Sequence, residues 1–158
     1  MSTSAGPFVL AVVALALGLP LSEGNAERGP GRSYIAPPTA PAAPSSEAVR
    51  SGNTLYLAGH LGLDPASGEA PADATAEARL LMDAIERTVT DAGFRMDDLV
   101  AVTVFSTDLA LDGTFNAVYE SYFHGRYPAR SFVGASQLLH GAHFEVAAIA
   151  VRSARMQL

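Results

Sequence analysis

Lysine and cysteine are both missing from this chain of 158 residues, and its ten Lys or Arg residues are all arginine. Without lysine there is no internal aldimine with pyridoxal phosphate, no Schiff-base nucleophile and no phosphate-loop lysine. Without cysteine, thiol catalysis, thiolate metal sites and disulfides are excluded. The remaining chemistry belongs to arginine, histidine, carboxylates, hydroxyls, backbone groups and water. A basic run is also missing. The formal charge is −6 and the arginines are scattered, which argues against a nucleic-acid partner.

What is present is enough apolar residue, 49%, for one domain with a core. "FVLAVVALALGLPL" (Phe8 to Leu21) is too short to span a bilayer comfortably and suits a signal-peptide core, with Gly24 and Ala26 before a cleavage point at Glu27. Residues 1–26 are thus expected to direct export to the periplasm or beyond, although "MSTSAGP" carries no basic residue. A membrane-tethered anchor is one alternative, and an over-extended start, leaving the protein cytoplasmic, is another. No further membrane span is expected. Residues 27–44 are rich in Pro, Gly and Ala and predict an extended segment with an edge strand at 33–36. Residues 45–158 form the single folded domain.

Within that domain, "EAVRSGNTLYLAG" predicts two strands around a Gly52-Asn53 turn. Asp73 is placed to cap a helix in which Leu81, Ala84, Ile85, Val89 and Ala92 recur at helical spacing, ended by Gly93. "LVAVTVF" (Leu99 to Phe105) reads as a central strand covered on both sides. A second helix is predicted from Thr114 to Phe123, with Phe115, Val118, Tyr122 and Phe123 on one face, and "SFVGA" and "HFEVAAIAVR" predict the last strands. The order implies an α+β fold, a mixed sheet with two helices on one face. The other face needs a partner, and a homo-oligomer supplies one.

Two charged residues stand out. Arg130 follows Pro128 and Ala129 at the start of an apolar strand, and Glu145 alternates with Ala147, Ile149 and Val151 on another. A carboxylate on an apolar face needs a partner, and the obvious one is Arg130, fifteen residues earlier at the start of the preceding strand. The pair reads either as an ion pair holding strands in register or as an anion-binding guanidinium with a carboxylate that handles a water proton. His140 and His143 have a metal-like gap, but Gly141 between them suggests a loop, and His60 is the sole third ligand in prospect, so no metal is expected. His124 reads as surface. Ser131 lacks the glycine context of a nucleophile elbow.

In this order, "LYLAGHLGLDPASGE", "DDLVAVTVFSTDL", "FNAVYESYF", "YPARSFVG" and "HFEVAAIAVR" resemble the reactive-intermediate deaminase (RidA, YjgF-type) family over about Ser33 to Arg152. The resemblance implies a chorismate-mutase-like fold, a homotrimer with clefts between subunits, and cofactor-free, metal-free hydrolysis of small 2-imino or enamine carboxylic acids to 2-keto acid and ammonia. It places the carboxylate clamp on Arg130 and the water-handling carboxylate on Glu145. Gly59, Asn116 and Phe132 fall on cleft positions. The family's cleft serine is replaced by Ala58, the following glutamine by His60, the N-terminal tyrosine by Ser45, and the second glutamate of the last strand by Ala147. Because a hydroxyl and a phenol are lost, a non-catalytic carboxylate-binding or chaperone-like role is the alternative; endoribonuclease activity, attached to some relatives, is a third reading.

Overall fold

The computed structural model describes residues 31–36 and 44–153. The expected export segment, 1–26, lies outside the described residues, as does most of 27–44. Six strands, β1 (Arg32–Ile35), β2 (Ala48–Ser51), β3 (Thr54–Leu61), β4 (Leu99–Ser106), β5 (Ala129–Gly134) and β6 (Phe144–Val151), form one sheet in the order β1-β2-β3-β6-β4-β5. Every pairing is antiparallel except β4 with β5. The sheet is therefore mixed. β6, last in the chain, is inserted between β3 and β4, so these two run parallel with helix α1 (Ala74–Asp91) connecting them.

Local chemistry sets the element ends. Gly52 takes φ +59° in the two-residue turn between β2 and β3, a conformation that glycine adopts without a Cβ penalty. Asp73 accepts a hydrogen bond from Thr75 N at 2.9 Å and so satisfies one of the free amides that open α1. Leu81, Met82, Ile85 and Val89 on this helix are buried against Leu55, Val102, Val104, Val146 and Ala150 of the sheet. Each such side chain contributes about 1.5–3 kcal/mol of burial free energy.

The second helix differs from its sequence-based reading. Helix α2 spans Asp112–Tyr119, starting two residues earlier than expected, and continues as a 3₁₀ turn, Glu120–Tyr122. Phe115, Val118 and Tyr119 are buried, whereas Tyr122 in the tighter turn packs only partly against the core and donates its hydroxyl to Asp83. β4 differs too. Val102, Val104 and Ser106 face the helices and are buried, but Ala101, Thr103 and Phe105 on the opposite face are only half-buried within the chain. This uncovered face also carries Tyr56, Ala147 and Ile149 around a shallow hollow.

Candidate active site

Arg130 points under the helices. In the parallel β4–β5 pair it stands level with Val102, and Phe132 stands level with Val104, so both share the face that α1 and α2 cover. Pro128 fixes φ just before the strand and offers no N–H that the sheet edge would leave unpaired. The guanidinium carbon lies 4.8 Å from the centre of the Tyr119 ring and 6.0 Å from the rings of Phe115 and Phe132. Such stacking holds a cation with about 0.5–2 kcal/mol of attraction per ring when water is partly excluded. Asp112 approaches the guanidinium at 3.4 Å and accepts a hydrogen bond from Asn116 at 2.9 Å. Asn116, Tyr119, Glu120, Tyr127, Pro128 and Arg130 line a cavity of about 260 Å³. Phe132 lies behind the cation rather than in that wall.

Glu145 is elsewhere. It pairs with Phe105 of β4, three residues along from Val102, and an odd separation on a strand means the opposite face. Arg130 and Glu145 are also two strands apart, with β4 between β5 and β6. The ion pair suggested by their closeness in sequence is thus not formed within one chain, and Arg130 pairs with Asp112 instead. Adjacency in sequence misled because the parallel β4–β5 pair sends the chain back to the far side of β4.

Glu145 rests on Gly59. A Cβ at that position would fall directly onto Glu145 Oε1, so glycine is what allows the carboxylate to lie across β3. The register of β3 against β6 shifts between Leu57 and His60, which brings Gly59 beneath Glu145 and turns His60 inward. Glu145 opens on a cavity of about 460 Å³ that is otherwise lined by Gln137 to Gly141.

Ser45, Ala58, Gly59 and His60 line a third hollow, of about 570 Å³, between the β2–β3 end of the sheet and α1. His60 is buried: Nδ1 lies 2.9 Å from the carbonyl of Ala58, and Nε2 lies 3.1 Å from Thr88 Oγ1. The carbonyl can only accept, so Nδ1 carries a proton. Thr88 in turn donates to Glu47 Oε1 at 2.8 Å. The grouping superficially resembles a nucleophilic triad, but Thr88 is 2% exposed and its hydroxyl is engaged with Glu47. It ties β2, β3 and α1 together.

Sequence reasoning missed Glu77. This fully buried carboxylate of α1 accepts hydrogen bonds from the amides of His143 and Phe144, each at 2.8 Å, and pairs with the His143 ring. It thereby anchors the strand entry one residue before Glu145. A signal was available: Glu77, Leu81 and Ile85 recur every four residues, which puts a charge on the buried stripe. His143 is committed to Glu77, while His140, at φ 56° in the preceding turn, faces Glu69 at 4.0 Å. The two histidines do not converge, and among the described residues no group of three or more potential ligands is placed to hold a metal ion. His124 is exposed, 4.0 Å from Asp97.

Comparison with known proteins agrees with this architecture. The Endoribonuclease L-PSP family model matches residues 36–152. A 2-iminobutanoate/2-iminopropanoate deaminase of Escherichia coli is 40% identical over 123 residues, covering 75% of this chain and 96% of the relative. A mouse protein of the same name is 36% identical, covering 77% and 92%. The crystal structure of the E. coli YjgF gene product superposes with a TM-score of 0.69 at 39% identity, covering 77% of this chain and 99% of that one. E. coli TdcF with bound serine superposes with a TM-score of 0.67 at 35% identity, covering 72% and 91%. With its inserted last strand, its helices on one face and these relatives, the chain is a member of the reactive-intermediate deaminase (RidA) family, matched by the Endoribonuclease L-PSP model.

Proposed function

We propose that this protein hydrolyses small 2-imino carboxylic acids to 2-keto acids and ammonia, in a cleft that two neighbouring subunits of a homotrimer complete. The observation that carries the reading is Arg130, a cation held against aromatic rings at the wall of a small cavity, in a chain whose relatives are named as imine deaminases. A planar guanidinium suits a carboxylate, which it grips with two parallel hydrogen bonds. The uncovered apolar face of the sheet is the surface through which subunits associate.

Arg130 and Asn116 supply one wall, and Glu145 over Gly59, from the neighbouring subunit, supplies the other. Glu145 orients a water toward C2 of the substrate, which at neutral pH is an iminium carboxylate. Addition of the water oxygen to C2 and transfer of its proton to nitrogen give a carbinolamine. Collapse forms the C=O bond, breaks the C–N bond and releases ammonium, so that iminium plus water gives ketone plus ammonium with no oxidant or reductant. The residues named supply binding, orientation and proton handling.

The test generates the imine in situ with an amino-acid oxidase and follows 2-keto acid formation. Arg130→Ala should reduce the acceleration over buffer to background; an undiminished rate removes Arg130 from the site. Ala58 and Ser45 in place of a hydroxyl and a phenol support the second reading, a carboxylate-binding protein, and saturable keto-acid binding without turnover by the wild-type chain would select it. The net charge of −6 counts against ribonuclease activity. Sedimentation at micromolar concentration tests the trimer. Export directed by residues 1–26 is part of the same proposal, and recovery of the full-length chain from the cytosol alone would overturn it.

A further inference from the structure

Beside Arg130, at the edge of its cleft, stands a carboxylate that the clamp itself does not need. Asp112 opens α2, four residues before Asn116, so the two side chains lie on one helix face. One oxygen of Asp112 accepts from Asn116 at 2.9 Å, and the other lies 3.4 Å from Arg130 Nη2. Glu120 lines the cavity itself. Arg130 is only 22% exposed at its side chain and is stacked on Tyr119, so its position is set, whereas Asp112 is 46% exposed and reachable from solvent. Asp112 occupies one of the five guanidinium donors, and the rest face no other acceptor among the described residues.

A simple carboxylate entering this cleft brings a second negative charge to one cation and is repelled by Asp112. A ligand with a cationic nitrogen next to its carboxylate meets complementary charges at both places: the carboxylate faces Arg130 and the nitrogen faces Asp112. We propose that Asp112 is a specificity-determining residue that makes the Arg130 cleft select zwitterionic 2-iminio and 2-amino carboxylates over 2-keto acids. The inference rests on the reading of Arg130 as the carboxylate clamp. Its consequence for turnover is directional, because hydrolysis converts the favoured charge pattern into the disfavoured one and the keto-acid product is expelled.

The experiment titrates full-length protein, followed by backbone amide shifts in NMR, with 2-aminobutanoate and 2-oxobutanoate, which have the same carbon skeleton and differ in the nitrogen. Wild-type protein is expected to bind the amino acid more tightly. Asp112→Asn, which keeps the side-chain shape and the contact to Asn116, should shift the affinity ratio toward the keto acid by about tenfold, a like-charge effect at a partly screened site. In turnover the same variant should raise KM for the imine and strengthen inhibition by the keto acid. A ratio that is unchanged in Asp112→Asn, or a wild-type protein with no preference for the amino acid, overturns the proposal. Arg130→Ala separates the two ideas: loss of both ligands supports the clamp irrespective of Asp112, and retention of both removes the clamp and with it this inference.

Discussion

Arg130 and Glu145 occupy opposite faces of one sheet, level with Val102 and Phe105 of the strand that separates them. A site that uses both must draw them from different chains. Arg130→Ala and Glu145→Gln should each be inactive alone. Co-refolding the two at equal amounts should restore roughly a quarter of the wild-type rate, the share of clefts that receive an intact residue on both sides by random assembly. A mixture as inactive as its components would show that the two residues do not meet across a subunit boundary.

Gly59 is expected to be intolerant for a chemical rather than a structural reason. Because the new Cβ of Gly59→Ala meets the end of a flexible side chain, Glu145 swings aside and the fold loses about 1 kcal/mol or less. If Glu145 handles the water as proposed, displacing it by about 1 Å should cost on the order of 100-fold in kcat. Thermal unfolding and steady-state kinetics on the same preparation check both halves of the statement.

Glu77→Ala leaves the buried amides of His143 and Phe144 without their acceptor and should cost about 2–4 kcal/mol in denaturant unfolding. Glu77→Gln retains an accepting oxygen for those amides and should recover a large part of that stability. The kinetic readout is kcat, since the anchored segment leads directly into Glu145. A Glu77→Ala protein of wild-type stability would mean that this carboxylate does not hold the strand entry.

Burial pushes the Tyr119 phenol up to about 12, against a smaller opposing pull from Arg130. Its ordinary value is 10.0, so above that pH the unfolded chain gives up this proton first. The contribution of Tyr119 is fully present below pH 10 and is lost as pH rises toward 12, at up to about 1.4 kcal/mol per pH unit. The hydroxyl is buried and has no hydrogen-bond partner among the described residues. Tyr119→Phe should therefore change stability at pH 7 by no more than about 1 kcal/mol while making the alkaline decline shallower. Part of the decline should persist, because burial and the hydrogen bond to Asp83 also raise Tyr122. Urea midpoints at pH 7, 10 and 11 provide the measurement.

Much of the architecture was legible in local pattern. The Asp73 cap, the apolar stripe of α1, the Gly52 turn and the strands at either end of the domain all follow from side-chain periodicity and turn chemistry, which act over a few residues. The end of α2 was not legible, because the change from α-helix to 3₁₀ turn depends on Tyr122 finding Asp83 on the other helix. Glu77 was overlooked for a similar reason. Its partners lie 66 and 67 residues away and exist only once β6 is docked.

By itself the sequence determined the class of chemistry: no lysine or cysteine to form a covalent intermediate, and an arginine and a glutamate at motif positions on two strands. Only the tertiary structure decided which groups share a place. Periodicity specifies the alternation of side chains along each strand, but the strand order and register that set Arg130 against Asp112, Asn116 and Tyr119, and Glu145 against Gly59 on the other face, arise from long-range pairing.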